Sequence, residues 1–151
     1  MTLTAGSREI LWKEWTELVP NKEKKILLGQ ILFRRLFAAH PDFIKLFRRF
    51  DGMNSLDEII QSTELKAHAL RFMNSLNGVF ETLDNAEELG DMLKHVGVSH
   101  KLRSVTFDHF AATVPVLQEI LVENLKSKEA KEAVKFVLTL AAPIILEGCR
   151  E

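Results

Sequence analysis

The sequence predicts an all-α fold, on three observations. Apolar residues recur at spacings of three and four along almost the whole chain, the period of a single helix face. Strand signals are nearly missing: no Asn-Gly or Asp-Gly hairpin turn sits between alternating runs, and tyrosine is absent. Prolines, capping residues and glycines fall where the helical rhythm breaks, so seven or eight helices with short connections are expected.

Taken in order, Ser7 caps a first helix to about Val19, which Pro20 ends. Asn21 caps a second that runs to about Ala39, where His40-Pro41 stops it. Ser55 and Glu58 have the spacing of a capping box, so a short helix follows the Asp51-Gly52 turn. From Thr63 to Leu83 a long helix carries Leu65, His68, Ala69, Phe72, Leu76, Val79, Phe80 and Leu83 on one face. Asp84 and Glu87 repeat the start signal for a helix containing Val96-Gly97-Val98-Ser99-His100. Two more helices span about 106–125 and 128–147, the last closed by Gly148. Pro115 and Pro143 fall inside these two, at a cost of about 3 kcal/mol or more unless the helix kinks.

With 151 residues, 46% of them hydrophobic and 27% charged, one domain spanning residues 1–151 around one core is expected. A net charge of -1, from 20 basic and 21 acidic side chains, gives no electrostatic footprint for phosphate backbones, which sets nucleic acid aside. No apolar run approaches the roughly 18 residues of a membrane span. Arg8, Glu9, Lys13, Glu14 and Glu17 interrupt any leader-like apolar stretch. Cys149 is the single cysteine, so no intrachain disulfide forms, and a cytoplasmic location is expected.

Two histidines stand on apolar faces. Leu89, Leu93, Val96 and His100 follow one helical stripe, and His68 lies in another between Leu65 and Phe72. A single inward histidine is usually a core residue satisfied by a hydrogen bond. Two of them on separate helices need two polar partners where few exist, and a shared metal satisfies both. A structural zinc site wants four closely arranged Cys or His ligands and a catalytic one three plus water, and the remaining histidines do not supply them. His95 lies off the His100 stripe, His40 precedes Pro41 in a turn, and His109 adjoins Asp108 on a wet face. One cysteine excludes an iron–sulfur cluster. What remains is a metal whose equatorial ligands arrive with the cofactor, namely haem. Ten phenylalanines, several of them within 31–50, suit the edge of a flat ring.

These residues, in this order, resemble the globin family over nearly the whole chain. Trp15, four after Leu11, is similar to the family's first-helix tryptophan. Phe33 to Phe47, with Pro41 between, resembles the second helix and the corner phenylalanine. Glu64-Leu65-Lys66-Ala67-His68 with Phe72 resembles the distal helix, and Gly97-Val98-Ser99-His100-Lys101 the proximal one. The 32-residue separation of His68 and His100 is similar to that in neuroglobins, cytoglobins and some invertebrate haemoglobins.

The resemblance implies a three-over-three helical sandwich around haem b, with His100 as the proximal iron ligand and His68 on the distal side. Phe47 would hold the ring, and Val96, Val105 and Phe110 would line its proximal edge. Phe33, Phe50, Leu65 and Phe72 would complete the pocket. Arg49 and Arg71 would meet the propionates or else sit in solvent. Ser99 would accept the second N–H of His100 or face water. Phe33 and Phe72 stand where many globins carry Leu and Val, so the distal cavity is expected to be crowded and dry.

The implied function is reversible oxygen binding for storage or transport, with carbon monoxide and nitric oxide as further ligands. In the rival reading His68 ligates the iron too, giving a six-coordinate haem suited to redox chemistry, nitric oxide turnover or sensing. A haem-free helical interaction module is a third reading, which two axial histidines oppose. No enzyme activity is expected beyond side reactions, since 151 residues leave no room for a reductase domain. No helix face carries an obvious excess of exposed apolar residues, so monomer and homodimer both stay open.

Overall fold

Helix starts are set by side chains that accept the first unpaired backbone N–H groups. The computed structural model describes residues 3–101 and 106–150, with the side chains of residues 100, 101, 107, 146, 149 and 150 outside that description. Among the described residues the secondary structure is helical with no strand, as the sequence predicts. The helices are α1 (Ala5–Leu18), α2 (Lys22–Ala39), α3 (Leu56–Gln61), α4 (Thr63–Glu81), α5 (Ala86–Lys101), α6 (Phe107–Asn124) and α7 (Lys128–Arg150). Two 3-10 turns, Pro41–Leu46 and Arg48–Phe50, lead from α2 towards α3.

Several caps are those the sequence predicts. Asn21 accepts from the Lys24 backbone N–H at 2.9 Å, and α2 stops before His40-Pro41. Ser55 accepts from Glu58 N–H at 3.1 Å, while the Glu58 carboxylate reaches back to the Asn54 N–H at 2.8 Å. Other boundaries differ. Thr4, not Ser7, heads α1, because its hydroxyl accepts from Ser7 N–H at 3.0 Å and the helix gains an extra turn. Asn85 rather than Asp84 caps α5, accepting from Glu88 N–H at 3.0 Å. α4 ends at Glu81, where the Thr82 hydroxyl donates to the Gly78 carbonyl at 2.9 Å. α6 and α7 run through Pro115 and Pro143, both exposed, because burial of neighbours such as Ile120, Leu121 and Val137 outweighs the lost backbone bond. Nor does Gly148 close α7: the helix continues to Arg150, and the glycine serves close packing.

The chain divides into two compact units, Met1–Leu18 with Asn77–Glu151, and Val19–Leu76. In the first, Trp15 is fully buried, its Nε1 donating to Asn77 Oδ1 at 2.9 Å and its ring meeting Phe80 edge-on at 5.0 Å. That pairing satisfies the one polar atom of a large apolar side chain. At Gly148, α7 touches the backbone of α5 at Lys94 and Gly97, so a Cβ there would collide with the Lys94 carbonyl. Glu14 on α1 accepts from the backbone N–H groups of Lys126 (2.6 Å) and Ser127 (3.0 Å) and from the Ser127 hydroxyl. Ser127 in turn accepts from Ala130 N–H at 3.1 Å at the head of α7, so Glu14 holds the α6–α7 loop in place.

In the second unit the backbones of α2 and α4 cross in contact. A Cβ on Gly29 would lie 2.6 Å from the Ala69 Cβ. Gln30, one residue on, is buried and donates to the Ile60 carbonyl at 2.9 Å, tying α3 to α2.

Two outcomes follow. Gly29→Ala should destabilise the protein by about 1–3 kcal/mol, the usual range for overpacking, as a lower urea midpoint with unchanged slope. For Glu14, partial burial pushes the carboxyl up, but hydrogen bonds from the Ser127 side chain and backbone and from Lys126, with the Lys126 charge, more than reverse it; the net displacement is downward. A lowered folded-state value means the contribution is full at neutral pH and drains away as pH falls through and below the ordinary glutamate range. Glu14→Gln should therefore be less stable than the parent by about 1 kcal/mol at neutral pH, with the two unfolding curves converging in acid.

Candidate functional site

Phe33 and Phe37 stand one helical turn apart on α2, and both are buried. The proline-headed 3-10 turns then reverse the chain so that Phe47 and Phe50 come back against them: Phe37 to Phe47 is 5.8 Å between ring centroids, Phe37 to Phe50 is 6.4 Å, and Phe47 to Phe50 is 5.1 Å. Four positions beyond Gly29, Phe33 faces α4 at the crossing the glycine permits. There it meets His68, the residue before Ala69, with centroids 5.0 Å apart, and Phe72 at 5.7 Å. Phe47, itself 6.5 Å from Phe33, packs on the His68 ring at 4.9 Å. His68 and Phe72 are half-buried, and Leu65, one turn before His68, is fully buried.

The sequence-predicted distal residues are thus brought together as a set: Phe33, Phe47, Phe50, Leu65, His68 and Phe72 all belong to this unit. Phe37, which meets three of these rings, Phe33, Phe47 and Phe50, was not among the expected site residues; its spacing of four from Phe33 is the signal. Arg49 and Arg71 are exposed, so neither is held in the aromatic cluster.

In the other unit, Leu89 and Leu93 are buried on α5, as their stripe requires, and Val96 is half-buried. The His100 backbone lies in the last turn of α5, and its side chain lies outside the described residues, as does Val105 entirely. Phe110 is half-buried on α6. His95 is exposed, and His40 stacks on Phe43 at 4.6 Å. His109 is a helix cap, its Nδ1 accepting from Thr106 N–H at 2.9 Å, a more specific task than that of a bystander on a wet face.

Among the described residues no group of three His, Cys, Asp or Glu side chains could hold a metal ion. The imidazole beside apolar aromatic rings suits a flat cofactor. Among the described residues, also, no helix is long and apolar enough to cross a membrane.

The Globin family model matches residues 30–145. The chain belongs to the globin family. It is 30% identical to cytoglobin-1 of Oryzias latipes over 122 residues, which cover 80% of this chain and 67% of that protein. With the neuroglobin of Tetraodon nigroviridis the identity is 28% over 109 residues, 72% of this chain and 67% of the relative. Among solved structures, this globin superposes on a hexacoordinated haem protein from an anhydrobiotic tardigrade with a TM-score of 0.86 and 25% identity, covering 99% of this chain and 96% of the other. It superposes on Aplysia limacina myoglobin with a TM-score of 0.81 and 20% identity, covering 99% and 100%. The fold is the globin fold.

Proposed function

We propose that this globin, read as one domain over residues 1–151, carries haem b and binds oxygen reversibly, with His100 as the proximal ligand and His68 on the distal side. The reading is carried by the position of His68, an imidazole packed against the rings of Phe33 and Phe47. Haem would supply an iron with one exchangeable axial position for a diatomic ligand, oxygen, carbon monoxide or nitric oxide. The chain's own residues would do the rest. Phe47 would hold the ring, with Phe33, Phe50, Leu65 and Phe72 as distal walls and Val96, Val105 and Phe110 on the proximal edge. Arg49 and Arg71, both exposed, would pair with the propionates. The phenylalanines would keep water from the site, which favours the reduced carrier. His68 would donate a hydrogen bond into the distal space; worth roughly 1–1.5 kcal/mol, it favours oxygen over nonpolar carbon monoxide about tenfold.

A second reading has His68 as the sixth iron ligand, with external ligands admitted only in the fraction of time it is away. Likeness to a hexacoordinated tardigrade protein favours it. Such a protein would serve redox chemistry, nitric oxide turnover or sensing, with electrons from an external donor, and in either reading its place is the cytoplasm.

The absorption spectrum of the reduced protein without added ligand separates the two: one broad visible band for an open site, sharp split bands for two histidines. With the open site, His68→Leu should lower oxygen affinity about tenfold and leave carbon monoxide affinity little changed. With two axial histidines the same substitution should raise affinity for both gases. A protein whose spectrum changes with neither gas contradicts both readings.

A further inference from the structure

The first unit carries two tryptophans on α1, and its core uses one of them. Trp15 is fully buried, with its indole N–H given to Asn77. Trp12, three residues earlier, is half-buried, and among the described residues its N–H has no hydrogen-bond partner. It stands in a groove of about 370 Å³ that α1 forms with the end of α4, where buried Phe80 lies beneath. Around it are Arg8 and Glu9, one turn back on α1, Glu81 at the end of α4, and Asp84 shortly after. Glu9, Glu81 and Asp84 are exposed, and among the described residues none of these four charged side chains is in an ion pair. One cation against three carboxylates leaves the groove with an excess of negative charge. The excess continues over the first turns of α5 as Glu87, Glu88 and Asp91, all exposed.

We propose that this groove docks a basic face of another protein, anchored by an arginine side chain laid against the Trp12 ring. A guanidinium is flat and weakly hydrated, stacks on an indole, and holds carboxylates through its fork of N–H donors. It therefore uses the ring and the acids together, where a compact, strongly hydrated ammonium uses mainly the charge. A half-open groove rimmed by exposed carboxylates suits a side chain presented by a partner, since free small ligands are held in sites that enclose most of their surface. Tryptophan and arginine are also the side chains that most often anchor interfaces. The acids on α5 match further positive charges around that arginine and steer its approach. Neither His68 nor the aromatic cluster around it takes part, so this docking stands or falls apart from the haem reading.

The test is proton–nitrogen NMR of the purified protein, following the Trp12 indole N–H with that of Trp15 as internal control. The probes are the capped peptide acetyl-Gly-Arg-Gly-Lys-Gly-Lys-amide and free L-arginine. The peptide should shift the Trp12 signal saturably at millimolar concentrations and leave Trp15 unmoved. Its binding should weaken about fivefold when uncharged citrulline replaces its arginine, and likewise when salt is raised from about 0.05 to about 0.5 M. Glu81→Gln and Asp84→Asn should each weaken it about threefold to tenfold, while Arg8→Gln, which removes the one repelling charge, should tighten it. A mere loss of packing would not give opposite signs. Trp12→Leu, followed on the backbone amides of Glu81 and Asp84, should abolish binding, and Trp12→Phe should keep part of it. No shift at Trp12, equal binding of the citrulline peptide, or weaker binding in Arg8→Gln overturns the proposal. Free arginine binding as tightly as the peptide would make the groove a small-molecule site and overturns the docking. A Trp12 shift that follows protein concentration without any probe would place a second copy of this chain in the groove, with the same consequence.

Discussion

A half-buried imidazole packed edge-on against two phenylalanine rings is the feature from which the rest of its unit takes its sense. The packing that brings those rings onto it starts at Gly29. Because that residue has no Cβ, α2 can lie against the Ala69 backbone, and the next turn of α2 brings Phe33 onto His68. Pro41 then heads the 3-10 turns that return Phe47 to the same imidazole. The glycine and the proline thus act on one geometry.

The first unit obeys the same logic with different means. There the close approach is at Gly148 over Lys94 and Gly97, near the end of α5 that carries His100. The buried tryptophan has its N–H satisfied by Asn77, and Glu14 gathers the α6–α7 loop into hydrogen bonds. Small residues at helix crossings and satisfied polar atoms hold these helix backbones in place.

Much of this was legible in the sequence. The stripe Leu65, His68, Phe72 on α4 and the stop at His40-Pro41 rest on periodicity and on proline's own stereochemistry, and both are local. Asn21 was readable because it stands alone as a capping acceptor, and Ser55 because Glu58 completes a capping box with it. Thr4 against Ser7, and Asn85 against Asp84, were not: neighbouring short polar residues offer the same acceptor, and only the packed helix selects one. Gly148 reads as a terminator until the partner backbone at Lys94 is seen, and His109 as a surface residue until its ring is found on Thr106 N–H. Prolines inside α6 and α7 carry a penalty that sequence can price but whose offset, burial along the rest of each helix, belongs to tertiary structure. The exposed Arg49 and Arg71 were readable as charges, while their role depends on a group the chain does not itself supply.

The proposed function assigns His68 and His100 to haem iron. It is tested most directly by the haem content of the purified protein, measured as the pyridine haemochrome, for the parent and for His100→Ala. The account predicts one haem per chain in the parent, and in the variant a haem that is lost on gel filtration. A colourless parent, or a His100→Ala protein that keeps its haem with an unaltered spectrum, would contradict it.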